Sequence, residues 1–130
     1  MSPTEILAKL ISFDTVSARS NLGLIRWIGD YLAELGVPVE IVAAPDGQAK
    51  ANLWASIGPD RDGGIVLSGH TDVVPVEGQP WTSDPFTLRD GGDRWFGRGT
   101  SDMKGFISLC LALAPDMLKR PLRTPLHFAF

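Results

Sequence analysis

Two short segments hold residues able to do chemistry. The first is Ser68-Gly69-His70-Thr71-Asp72. His70 and Asp72 stand two apart at the end of an apolar run, so extended backbone would project both to one side. A neutral imidazole is the commonest protein metal ligand, and it works best when its second ring nitrogen is held by an acceptor such as a carboxylate. The structural alternative for this segment is a histidine ending a strand, with Asp72 capping the next turn. The second segment is Gly97-Arg98-Gly99-Thr100-Ser101-Asp102-Met103-Lys104-Gly105. Asp102 there is either the cap of a following helix or a carboxylate whose two oxygens bridge two cations. Flanking glycines let backbone approach such a site closely. Neither phosphate-loop spacing, G-x-x-x-x-G-K-[ST] nor G-x-G-x-x-G, occurs here, which argues against a nucleotide cradle.

The surrounding pattern says what must position these residues. Ser2-Pro3-Thr4-Glu5 reads as a capping box with proline at the first helical position, followed by Ile6, Leu7, Leu10 and Ile11 at helical spacing. A second helix is predicted from about Asn21, with Leu24, Ile25, Ile28, Leu32 and Leu35 on one face and Gly36 as its left-handed stop. Strands are predicted over 37–42, near an edge because of Pro38, over 52–57, over 65–68 and over 125–130. The run over 65–68 suits a strand buried on both faces by helices. Segments 87–89 and 94–96 flank Asp90-Gly91-Gly92-Asp93 as a hairpin. A third helix is expected behind Ser101, carrying Phe106, Ile107, Leu109, Cys110 and Leu113 and ended or kinked by Pro115. Strands alternating with helices define a layered α/β fold, and the hairpin suggests a mixed sheet.

Trp27, Trp54 and Trp95 read as core or half-core residues. Trp81 reads as a pin for the loop Gln79–Phe86, His127 as structural, and Arg98 and Lys104 as surface or capping charges. Cys110, the single cysteine, sits in an apolar run and reads as a buried small hydrophobe.

Composition bounds the function classes. Of the 130 residues, 44% are hydrophobic, and 15 acids against 12 bases give a net charge of −3. That balance argues against nucleic acid as a partner, since such binders carry a basic surplus. No apolar run approaches the roughly 20 residues of a membrane span, and Met-Ser-Pro-Thr-Glu does not open a signal peptide. A cytoplasmic setting is expected.

Taken together, Ser68–Pro75, Trp81–Phe86 and Gly97–Gly105, in this order and separation, resemble the M20 metallopeptidase family. The likeness runs from the first helix to Phe130. Gln79–Phe86 and Gly105-Phe106 resemble the branch that removes the acetyl group of N2-acetylornithine more than the branch that removes succinyl from diaminopimelate. The resemblance implies a three-layer α/β/α domain with a mixed sheet, of which residues 1–130 are the amino-terminal portion. The rest of the catalytic domain and a dimerisation domain would lie outside this chain. It implies two zinc ions, with cobalt able to substitute. His70 would be a ligand of one, Asp102 would bridge both, and Asp72 would be the catalytic aspartate that orients His70. The peptide bond Asp102-Met103 would be cis. The partner would be a small N-acyl amino acid, in an enzyme acting as a homodimer. The family's general base and a further ligand form an adjacent acidic pair that is missing here: no Glu follows Glu77. The chain alone is therefore expected to bind zinc weakly and to be inactive. A non-catalytic module that self-associates, or a neighbouring activity of the family, is the alternative.

Overall fold

Helix α1 (Pro3–Ile11) starts where the capping box places it. The Glu5 N–H donates to the Ser2 hydroxyl, and the Ser2 N–H donates to the Glu5 carboxylate. Helix α2 (Leu22–Glu34) ends at Leu35, and Gly36 follows at φ 78°, a conformation that favours glycine. Strands β1 (Val39–Ala43), β2 (Ala51–Ile57) and β3 (Ile65–Ser68) come next. Then come the short hairpin of β4 (Arg89–Asp90) and β5 (Trp95–Phe96), helix α3 (Lys104–Leu118) and strand β6 (Leu126–Ala129). The computed structural model describes residues 1–130.

The main sheet has the order β1-β2-β6-β3. Its two pairings with β2 are antiparallel, whereas β3 and β6 run parallel, with Ile65 opposite Leu126. The sheet is thus mixed, but not because of the hairpin, which stands apart as its own two-stranded sheet.

Alternation along β2 decides where the core lies. Leu53, Ala55 and Ile57 are buried, while Asn52 and Trp54 face out. The buried side meets Phe128 of β6, Ile25, Ile28 and Leu32 of α2, and Ile107, Leu111 and Ala114 of α3 in one cluster. Helix α1 packs along α3 and adds Ile6 and Leu10 to it. The result is an α/β fold with a mixed sheet and helices on one face.

Several expectations are corrected. Strand β3 is not buried on both faces: Ile65 is 60% and Val66 50% exposed. It is the outer strand, paired only with β6, and no helix packs extensively over either face of its first residues. Trp54 and Trp95 are exposed and lie outside the core. Trp54 instead stacks on His127, ring centroids 5.0 Å apart, on the open face. His127 is structural, its Nε2–H donating to Gly63 O at 3.1 Å while Nδ1 accepts from Ser56 Oγ at 2.8 Å.

Pro115 does not end α3, which continues to Leu118. A proline at 115 cannot donate to the Leu111 carbonyl one turn earlier. The Tyr31 hydroxyl of α2 donates to that carbonyl instead, at 3.3 Å. Cys110 is buried, and burial raises its thiol pKa to about 11, which keeps it an inert small hydrophobe.

Candidate metal centre

Beyond β3 the backbone stays extended for one more pairing, the Gly69 N–H donating to Ala129 O at 3.0 Å. His70 and Asp72 then emerge on one side while Thr71, between them, is buried. The segment is stitched to the loop after α1. The Ser17 N–H donates to Val73 O, the Val73 N–H to Thr15 O, each at 3.0 Å, and the Thr15 hydroxyl to Thr71 O at 2.6 Å.

Asp102 arrives from the opposite direction, in the turn that leads into α3. It does not cap that helix: the cap position is Met103, and no side chain bonds there. Its carboxylate crosses to the histidine, with Asp102 Oδ1 2.8 Å from His70 Nε2. The Asp102–Met103 peptide bond is cis. Gly105 lets the first turn of α3 sit against the Thr100 carbonyl, since a Cβ there would stand 2.2 Å from that oxygen.

The imidazole is thus held at three points. Nε2 faces Asp102, Nδ1 faces Asp72 (Oδ1 at 3.2 Å, backbone O at 3.0 Å), and the His70 N–H points to Met103 Sδ at 3.4 Å. Burial lowers the His70 pKa, but the hydrogen bond to Asp102 and the Asp72 contacts outweigh it, so the net shift is upward. Asp72 moves the other way. The Ser17 hydroxyl, donating to Oδ2 at 2.6 Å, lowers its pKa against the opposing effect of burial, with His70 helping. Asp102→Asn removes the charge partner of Nε2, so the His70 pKa is expected to fall, as read from its ring-proton shifts against pH. An unchanged pKa would show that the pair does not persist in solution.

The three residues singled out from the sequence therefore converge. His70 Nε2 and an Asp102 oxygen are an imidazole nitrogen and a carboxylate oxygen side by side, donor types that suit zinc and its neighbours. Asp72 stands behind the ring, where it holds Nδ1. No group of three or more His, Cys, Asp or Glu in the chain forms a fuller ligand set. A cleft of about 480 Å³ opens beside His70, lined also by Lys50 and Asn52.

Three neighbours escaped sequence reasoning. Ser17 lies 55 residues from Asp72, and no local pattern links them. Arg98 is no free surface charge. It is half-buried, its guanidinium lies 5.1 Å over Trp81 and donates to Gln79, and it lines a small cleft with His70 and Asp102. This contact also gives Trp81 its pinning role. Lys104 is fully buried, its ammonium donating to Phe13 O at 2.7 Å. Its register with Ile107, Leu111 and Ala114 on α3 was the signal for that burial.

An imidazole and a carboxylate meeting at the carboxyl end of a strand, braced by a second carboxylate, place the chain among α/β folds of the metallopeptidase type. Residues 66–130 match the model of peptidase family M20/M25/M40, and the chain belongs to that family. It is 40% identical over 133 residues to an acetylornithine deacetylase of Yersinia pseudotuberculosis serotype O:1b (strain IP 31758), covering 95% of this chain and 34% of that protein. The chain thus spans about a third of the length of the curated relatives it matches. Its fold is that of an M20 family metallo-carboxypeptidase from Sulfolobus solfataricus, with TM-score 0.84 at 20% identity over 99% of this chain and 30% of that one. Human carnosine dipeptidase 1 has the same fold, with TM-score 0.82 at 24% identity over 98% of this chain and 31% of that one. No helix is long and apolar enough to cross a membrane.

Proposed function

We propose that these residues supply part of the metal site of a cytoplasmic hydrolase that cleaves the amide of N2-acetylornithine to ornithine and acetate. The observation that carries this reading is the placement of His70 Nε2 2.8 Å from Asp102 Oδ1 with Asp72 behind Nδ1. The substrate is supported by 40% identity to acetylornithine deacetylases across 95% of the chain.

The donor chemistry fits zinc, with cobalt able to substitute, although His70 and Asp102 fill only two of the roughly four positions zinc prefers. When bound, a pair of such cations supplies an acidified water and polarises the amide carbonyl. The chain's own residues do the orienting. Asp72 holds the Nδ1–H, so Nε2 would offer its lone pair to a cation once the proton it shares with Asp102 has left. Asp102 has a side chain 85% exposed, so both its oxygens can be reached from the cleft. None of Glu5, Glu34, Glu40 and Glu77 lines either cleft beside His70, and both site aspartates are engaged with the imidazole. In this reading Asp102 is a metal ligand and Asp72 is committed to Ser17 and His70, so neither serves as the base, and the 130 residues alone should not turn over substrate.

Exchanging these residues for the matching third of the Yersinia pseudotuberculosis enzyme tests the reading. The chimera should hydrolyse N2-acetylornithine, and His70→Ala in it should lower both zinc content and turnover at least about a hundredfold. The isolated chain should show no turnover. A folded, zinc-loaded chimera that preferred an N-succinyl substrate would move the assignment to a neighbouring activity of the family. Turnover by the isolated chain would overturn the claim that it lacks a base.

A further inference from the structure

We propose that Ser17 is a positioning residue for the site, the outer anchor that holds the Asp72 carboxylate beside His70 Nδ1 and so biases which ring nitrogen of His70 carries the proton. The inference deepens the metal-site reading above and rests on it for its purpose, but not for its geometry.

A carboxylate with one oxygen on an imidazole is free to rotate unless its other oxygen is held. Here Asp72 Oδ1 lies 3.2 Å from His70 Nδ1, and the Ser17 hydroxyl donates to Oδ2 at 2.6 Å. The hydroxyl has one proton and a second acceptor in reach, Val73 O at 3.3 Å. The carboxylate is both nearer and charged, so the proton goes there. Ser17 is itself fixed at both ends. Its N–H donates to Val73 O at 3.0 Å, and the Lys50 ammonium donates to its carbonyl. The neighbouring parallel Val16–Val73 bridge anchors the backbone from which the Ser17 side chain reaches Asp72. A serine held this way cannot follow a rotating carboxylate, so it locks Asp72 in the plane that presents Oδ1 to Nδ1.

The Asp72 backbone carbonyl accepts from Nδ1–H at 3.0 Å, and the locked carboxylate adds its negative charge at 3.2 Å, so holding Asp72 in place favours the tautomer with its proton on Nδ1. Without the lock, the competing Asp102 oxygen at 2.8 Å draws the proton to Nε2, the nitrogen a metal needs bare.

The test uses the ¹⁵N-labelled 130-residue chain at one alkaline pH, where the imidazole is neutral. Long-range ¹H–¹⁵N spectra report the ratio of the two His70 tautomers. Ser17→Ala should shift that ratio toward Nε2–H, and Ser17→Thr, which keeps the hydroxyl, should restore it. Co²⁺ titration, followed by broadening of the His70 ring signals, should show binding weakened about three- to tenfold in Ser17→Ala, less than the loss typical of direct partners. A folded Ser17→Ala chain with an unchanged tautomer ratio would overturn the proposal. So would a Ser17→Thr chain that shifts as far as the alanine variant. The tautomer ratio decides the proposal however weakly two ligands hold Co²⁺, and the metal reading is tested separately by the zinc content of the chimera.

Discussion

Lys104→Met is expected to make the protein more stable near neutral pH and to remove a rise in stability between about pH 8 and 10.5. Lys104 is fully buried, and burial lowers its pKa from 10.5 to about 8. Its ammonium has one partner in the structure, the Phe13 carbonyl, which carries no full charge. The nearby Asp14 carboxylate is bonded to Arg19. Below pH 8 both the folded and the unfolded chain hold the lysine proton, so the whole desolvation penalty opposes folding. Between pH 8 and 10.5 the unfolded chain still binds the proton while the folded one releases it, so stability climbs with pH. Above that window both forms are neutral and the contribution is flat. The full rise is about 3 kcal/mol for this shift.

Methionine matches the stem and removes the charge, at the expense of leaving the Phe13 carbonyl without its donor, worth about 1 kcal/mol. The variant should therefore lead at pH 7 and trail slightly above pH 10.5. Cys110 bends both profiles the same way, because its raised pKa makes stability fall between pH 9 and about 11. The difference between the two proteins cancels that bend. Urea midpoints from pH 6.5 to 11 measure it, and a pH-independent difference would show that the ammonium is hydrated in solution.

Lys104 reads as a surface charge by residue type, although its helical register with Ile107, Leu111 and Ala114 puts it on the buried face of α3. Local patterns placed α1 by its capping box, the α2 stop at Gly36 and the hairpin around Gly91-Gly92, because each depends on neighbours within a few residues. They also placed His70 and Asp72 on one side of a strand end. Asp102 was left between two readings, since an aspartate before a helix is locally identical whether it caps or reaches away. Only the approach of a second chain segment decides which.

The errors share that cause. Apolarity over 65–68 cannot distinguish a covered strand from an outer one, because the run reads the same whether or not other elements pack on Ile65 and Val66. Pro115 is expected to end or kink a helix, and what becomes of the Leu111 carbonyl it orphans is decided by Tyr31, 80 residues away. Ser17 reaches Asp72 over 55 residues. The resemblance supplied the roles of His70, Asp72 and Asp102, but it said nothing about the residues that hold those three in place.

Asn21→Ala should show how far the site depends on such remote fixing, with an expected loss of about 3 kcal/mol of stability. The side chain is buried and makes three bonds. Nδ2–H donates to Ala51 O at 2.8 Å and to Thr71 Oγ1 at 3.1 Å, and Oδ1 accepts from the Ala51 N–H at 3.0 Å. One amide thus takes both backbone groups of the first residue of β2, as a neighbouring strand would. β6 pairs only with the later part of β2, the Phe130 and Leu53 backbones bonding each other last. Alanine would orphan the Ala51 N–H and C=O, and Ala51 is buried. A buried backbone group without a partner costs about 1–3 kcal/mol, and two such groups outweigh the small gain from not ordering an asparagine. The third bond carries the effect to the site. Thr71 lies between His70 and Asp72, so losing its donor loosens the turn that presents both. Urea unfolding of Asn21→Ala should give the stability loss, and hydrogen exchange at residues 70–73 should quicken beyond what the global loss explains. A loss below about 1 kcal/mol would mean that water replaces the amide beside Ala51. Unchanged relative protection at residues 70–73 would mean that the site turn is held by Thr15 and Ser17 alone.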